Sequence, residues 1–222
     1  MHCHDQVKNS NWTLRAVALV SAVLLGLIPW TDTAAAHGSI VDPAARNYGC
    51  FDRWGSDHLN PNMAQQDPMC WQAWQDNPNA MWNWNGLYRE NVRGNHQGAI
   101  PNGQLCSAGR TEGGRYNSMD TVGPWQTTSV GSNFSLRLYD QASHGADYFQ
   151  IYVTRQGFNP HTQPLTWNDL ELVRTTGRYA PTQNITVDVN APGRSGNHIV
   201  YTIWQASHMD QSYYMCSDVN FR

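Results

Sequence analysis

The chain has 222 residues, a formal net charge of −3 and 40% hydrophobic residues. Lys8 is the only lysine and the arginines are scattered, so the basic patch that a nucleic-acid surface requires is missing. An uncharged partner fits better, and neither nucleic acid nor membrane is expected as one.

The first residues read as an export signal. Lys8 and Arg15 give a positive start, Ala16 to Ile28 an apolar run that stops at Pro29, and Ala34 and Ala36 a small-x-small pattern that places cleavage before His37. A spanning helix would need about 20 apolar residues. The expectation is a cleaved signal peptide over 1–36, a secreted, extracellular and monomeric product, and one domain over 37–222. No linker or repeat marks a separate carbohydrate-binding module.

Beyond His37, "GSIVDPAA" predicts a first strand. Residues from about 50 to 120 do not alternate. They form a large, partly helical insertion rich in Trp, Asn, Gln and Gly, too long for a structureless loop in one domain. "DPMCWQAWQDN" and "NAMWNWNGLYREN" predict short helices, with Asp67 or Asn79 as caps. The second half alternates as half-buried strands over 133–140, 147–155, 169–176, 184–190, 198–207 and 214–221, with turn residues between them. The fold class that follows is an all-β, immunoglobulin/fibronectin type III-like sandwich, with the insertion between its first and second strands.

Four cysteines follow the signal: Cys50, Cys70, Cys106 and Cys216. An even number in an exported chain indicates two disulfides, and three pairings are open. Cys50–Cys70 is the most local; Cys106–Cys216 would then tie the middle of the chain to its end.

Cleavage before His37 would give a mature chain that begins with histidine. Its α-amine, with a pKa of about 8, and its ring Nδ1 can close a chelate on a metal. A second histidine would complete a plane of three nitrogens, an arrangement that suits Cu(II). The mature chain offers His58, His96, His144, His161, His198 and His208. His144 stands out in "YDQASHGADYF", a turn between two predicted strands.

Four segments resemble one family in order along the mature chain. They are the opening "HGSIVDPAARNYGC", the Ala142-Ser143-His144 element, "NHIVYTIWQ" and the closing "YYMCSDVNF". Together they resemble the bacterial lytic polysaccharide monooxygenases of auxiliary activity family ten, copper enzymes active on chitin and cellulose. The resemblance implies one copper per chain, held by His37 and His144. It puts Ala142 at one axial face and Tyr213 at the other, where relatives usually carry Phe. Asn85 falls where chitin-active relatives place an acidic residue, and Gln141 supports the site from beside Ala142. Trp82 and Trp84 are candidates for stacking on sugar or lining the site. Implied, too, is hydroxylation of a crystalline β-1,4-glycan at carbon 1 or carbon 4, using an external electron donor and dioxygen or hydrogen peroxide. The Trp- and Asn-rich segment and the missing acidic residue favour cellulose over chitin. Other readings are a chitin-active oxidative enzyme, a non-catalytic carbohydrate-binding protein that uses its tryptophans alone, and an exported copper carrier.

Overall fold

The computed structural model describes residues 37–222, so the expected signal and its cleavage lie outside the described residues. Alternation along the second half becomes strands close to the predicted bounds: β4 (Asn133–Asp140), β5 (Ala146–Thr154), β6 (Leu170–Thr175), β7 (Asn184–Asn190), β8 (Gly196–Ala206) and β9 (Gln211–Phe221). β1 (Gly38–Asp42) follows His37 directly. Two short strands were not expected, β2 (Tyr88–Glu90) within the insertion and β3 (Thr128–Val130) after it.

The strands form two sheets. The smaller has the order β1-β4-β7; the larger runs β2-β9-β8-β5-β6, with β3 added parallel to β9. Ile40, Leu136, Leu138, Ile185, Val187 and Val189 face Phe149, Ile151, Val200, Trp204 and Met215 across the interior. A second core lies on the other face of the larger sheet. There the insertion's Met63, Trp74, Met81, Leu105, Tyr116 and Met119 cover Ile199, Tyr201, Ile203 and Tyr214. β8 and β9 are thus buried on both faces, which explains the nearly continuous apolar run from Ile199 to Trp204 on β8.

The insertion is built from short helices. α1 (Arg46–Trp54) was missed by sequence reasoning: it has no side-chain cap, and it buries Arg46, Asn47 and Gly49 rather than an apolar stripe. α2 (Pro68–Asp76) begins as expected, with Asp67 accepting from the Cys70 N–H at 3.3 Å. Its other carboxylate oxygen accepts from Arg53 and the Trp54 indole, each at 2.9 Å, so one buried aspartate joins the two helices. The helical turn Asn79–Trp82 has Pro78, not Asn79, at its cap position, while the Asn77 side chain accepts from the Asn79 N–H. Disulfides link Cys50 to Cys70, between α1 and α2, and Cys106 to Cys216, between the insertion and β9.

Arg46 anchors α1 to the sandwich. Its Nε and Nη2 donate to the two oxygens of Asp218 on β9 at 2.7 and 2.9 Å, and Nη1 donates to the Met119 carbonyl at 2.7 Å. The guanidinium also lies over the Trp125 ring, 4.6 Å from its centroid.

Near Arg46, Asp120 accepts the Cys106 and Ser107 N–H groups, yet burial pushes its carboxyl from 3.8 up to about 6. The folded chain therefore holds this proton more tightly than the unfolded chain does. Between about pH 4 and 6 it binds more protons than the unfolded state, so stability falls as pH rises through that window. At about 1.4 kcal/mol per unit, Asp120 is expected to cost up to about 3 kcal/mol at pH 7. Asp120→Asn keeps an acceptor for both N–H groups and should flatten this slope. Denaturant midpoints at pH 4.5 and 7 check it, and equal pH dependence in variant and parent would refute it.

Candidate metal centre

The period of two along β4 puts Leu136, Leu138 and Asp140 on the inner face, so the strand ends with a buried carboxylate. Asp140 gathers the turn that follows. Its Oδ1 accepts from the Ala142 N–H at 3.1 Å and lies 3.1 Å from His144 Nδ1; its Oδ2 accepts from the His144 N–H at 2.5 Å. A carboxylate only accepts, so Nδ1 carries the proton and Nε2 is left with the lone pair. That is how metal-binding histidines are commonly held. His144 is itself 9% exposed.

The turn needs two left-handed residues, Ser143 at φ 57° and Gly145 at φ 72°. A Cβ on Gly145 would come within 2.6 Å of the Tyr179 carbonyl oxygen, so only glycine fits there. From the larger sheet, the Trp204 indole donates to the Gly145 carbonyl at 3.0 Å, and Ser207 Oγ donates to the His144 carbonyl at 2.5 Å.

Register brings His37 to the same end of the sandwich. Gly38 pairs with Asp140, and the Gln141 N–H donates to the His37 carbonyl at 2.8 Å. The Gly38 N–H donates to the Asn85 carbonyl at 3.0 Å. Asn85 Nδ2 in turn donates to Gln141 Oε1 at 2.5 Å, so the insertion, β1 and the β4–β5 turn are linked side by side. Gly38 is also a close-packing position: a Cβ there would lie 2.8 Å from the Tyr139 carbonyl and 2.9 Å from Trp204.

The structure therefore groups His37, Asn85, Gln141, Ala142 and His144. Tyr213 is fully buried beneath them. It stacks on Trp204 with centroids 4.4 Å apart, lies 5.4 Å from the Tyr88 ring and donates to Gln211 Oε1 at 3.1 Å. Burial raises its phenol well above the usual range, so it stays protonated. Trp82 is 44% exposed and meets Phe51, His58 and Trp74 edge to face or nearly so. Trp84 is not available to sugar. It is 8% exposed, enclosed by the rings of Tyr48, Phe51 and Tyr139. Its carbonyl is held by Asn47 Nδ2 at 2.9 Å. That corrects its expected role in substrate binding.

Among the described residues no group of three or more His, Cys, Asp or Glu side chains is placed to hold a metal. The donors at this end of the fold are the imidazoles of His37 and His144, with that of His208 packed against His144, and, if the chain begins at His37, its amine. A set of nitrogens, with His144 oriented by a buried carboxylate, fits a cation that favours imidazole. Two other histidines are engaged elsewhere: His96 bridges the Tyr214 and Tyr148 hydroxyls at 2.8 Å each, and His198 packs against Thr154.

A family profile described as lytic polysaccharide mono-oxygenase, cellulose-degrading, matches residues 37–219. The chain belongs to this family. Among curated relatives, the chitin-binding protein CbpD of Pseudomonas aeruginosa is 34% identical over 225 residues, covering 97% of this chain and 54% of its own length. The lytic cellulose monooxygenase of Streptomyces ambofaciens is 31% identical over 225 residues, covering 93% of this chain and 60% of its own. The chain thus spans little more than half the length of these relatives. Among solved structures, T. fusca AA10A is 72% identical with a TM-score of 0.83, over 84% of this chain and 100% of that one. The copper complex of the cellulose-active LPMO CelS2 is 27% identical with a TM-score of 0.70, over 84% of this chain and 99% of that one.

In this lytic polysaccharide mono-oxygenase domain, sequence reasoning missed Asp140, Trp204, Ser207 and the placement of His208. The signal for Asp140 was present: a carboxylate four residues before His144, on the inward parity of β4. The other three meet the turn only through the pairing of β5 with β8.

Proposed function

We propose that this chain binds one copper ion through His37 and His144 and cleaves a crystalline β-1,4-glycan, cellulose in the first instance, by oxidation. The orientation of His144 by Asp140, beside His37 at the exposed end of the sandwich, carries this reading. His37 would contribute its amine and Nδ1 once it begins the chain, and His144 its Nε2. When bound, copper supplies a one-electron redox centre with an open position, primed by an external donor and used with dioxygen or hydrogen peroxide to hydroxylate carbon 1 or carbon 4 of the linkage.

The remaining roles belong to the protein. Asp140 and the β4–β5 turn hold His144 in one tautomer. Asn85 and Gln141 fix each other and offer amide rather than carboxylate groups beside the metal ligands. Ala142 is small and exposed, leaving room on its side; Tyr213 packs below as a protonated phenol. Trp82 presents an exposed ring on which a sugar face can stack. The uncharged Asn85–Gln141 pair, the family description and the Trp82 ring support cellulose; the similarity to CbpD keeps chitin as the second substrate to test. Export fits a polymer substrate that cannot enter a cell.

The test uses protein that begins at His37, loaded with copper and incubated with cellulose or chitin and ascorbate. A parallel sample carries one extra residue before His37. Aldonic acids or keto-sugars from cellulose, in the first sample only, are expected by mass spectrometry. Oxidised products from chitin alone would overturn the choice of substrate. Binding to polysaccharide with no oxidation, unaffected by chelator, would leave a carbohydrate-binding protein, and tight copper with no polysaccharide binding would leave a carrier.

A further inference from the structure

We propose that His208 is a positioning residue for His144, its ring packing on the His144 imidazole and fixing the plane in which that ring presents Nε2. This rests on the reading of His144 as a metal ligand. The two ring centroids are 4.0 Å apart with planes inclined at 39°, although the residues are 64 positions apart in the chain.

The hydrogen bond from His144 Nδ1 to Asp140 does not by itself determine the ring's orientation. It holds one ring atom and sets the tautomer, but small coupled rotations about Cα–Cβ and Cβ–Cγ can still tilt the ring plane while Nδ1 stays near Oδ1. Contact with a flat group on one face removes that freedom. A metal held at Nε2 is sensitive to this tilt because the lone pair lies in the ring plane. Asp140 and His208 thus have separate tasks, one at the edge of the ring and one at its face.

His208 is well supported for this task. It sits in the turn joining β8 to β9 (207–210), whose neighbouring Ser207 already grips the His144 carbonyl. The turn is braced from the insertion by the Asn91 and Arg93 N–H groups, which donate to the Asp210 carbonyl and to Asp210 Oδ2, each at 2.9 Å. From within the hairpin, Gln205 Nε2 donates to the Met209 carbonyl at 3.2 Å. The β8–β9 turn and Trp204 therefore reach the β4–β5 turn by two backbone contacts and one ring contact. His208 supplies the only one of the three that touches the ligand ring itself.

The experiment compares His208→Ala, His208→Phe and His208→Gln in protein that begins at His37, with His144→Ala alongside. Cu(II) affinity is read by calorimetry, the Cu(II) environment by electron paramagnetic resonance, and the metal-free His144 ring by nitrogen-15 NMR. Loss of an aromatic packing partner is expected to raise the Kd for Cu(II) about three- to tenfold in His208→Ala and His208→Gln. The copper spectrum should broaden and the His144 ring signals should exchange-broaden. His208→Phe, which keeps a flat ring but no nitrogen, should restore all three readouts. Unchanged affinity and spectra in His208→Ala would overturn the proposal, and so would failure of phenylalanine to rescue. A variant that does not fold is recognised by its melting curve, and the phenylalanine and glutamine pair then decides between ring packing and polar contact. If His144→Ala also leaves copper binding intact, the metal-ligand reading itself fails, a result distinct from failure at His208 alone.

Discussion

Asp140→Ala is expected to weaken Cu(II) binding by about ten- to hundredfold, the usual consequence of removing the carboxylate that orients a ligating histidine. The geometry explains why the effect is large. Three donors converge on this one buried side chain: the Ala142 N–H, the His144 N–H and His144 Nδ1. Removing it frees the ring to change tautomer and leaves two backbone N–H groups of the turn without their acceptor, at about 1–3 kcal/mol for each that stays buried. Asp140→Asn keeps one acceptor oxygen but turns an NH2 group toward the same donors, so its affinity should fall between parent and alanine variant. Calorimetric titration with Cu(II) on protein beginning at His37 measures this directly. An unchanged Kd in Asp140→Ala would show that the turn, and not the carboxylate, holds the imidazole.

Arg46→Met should cost about 3–5 kcal/mol of folding stability while leaving the copper site chemically intact. The Arg46–Asp218 pair is only 5% exposed on both sides, and such a pair is costly to break because the remaining charge is buried alone. The substitution also removes the donor to the Met119 carbonyl and the cation over Trp125. Guanidinium unfolding gives the number. The double variant Arg46→Met/Asp218→Leu should lose less than the single change, because no charge is then stranded. Equal losses in single and double variants would mean that Arg46 acts through Met119 and Trp125 rather than through Asp218.

Most of the sandwich was legible because a half-buried strand shows its period of two in the sequence. The bounds of β4 and β7 were read to the residue, and those of β5 to within one. β8 was found despite burial on both faces, since a β-branched and aromatic run has few other uses. The insertion was legible only as an insertion. α1 escaped because the residues it buries include an arginine, an asparagine and a glycine, whose partners are 172 residues away on β9 or in the 82–86 segment. β2 and β3, of three residues each, exist because β9 offers an unpaired edge, which local sequence does not reveal.

The site divides along the same line. His37, Ala142 and His144 stand in short motifs that can be seen without a structure. Trp82 and Trp84 have near-identical neighbours in sequence, yet one is exposed and the other buried, because Tyr48 and Phe51 of α1 and Tyr139 of β4 close over Trp84. His208 did not stand out among the histidines, since the ring it meets belongs to a hairpin 64 residues earlier.

The two hydrogen bonds around residue 37 have a consequence outside chemistry at the metal. Terminal residues are where proteolytic trimming concentrates, and an extracellular enzyme whose working group is its first residue would be inactivated by the loss of one amino acid. Here the carbonyl of His37 and the N–H of Gly38 are both in use, by Gln141 and Asn85. They are the two polar atoms of the peptide bond that an aminopeptidase must draw into its cleft and cut. To reach that bond it would first have to peel His37 and Gly38 away from the β4–β5 turn and the insertion. If the chain begins at His37, the fold thus guards its amine end against exopeptidases.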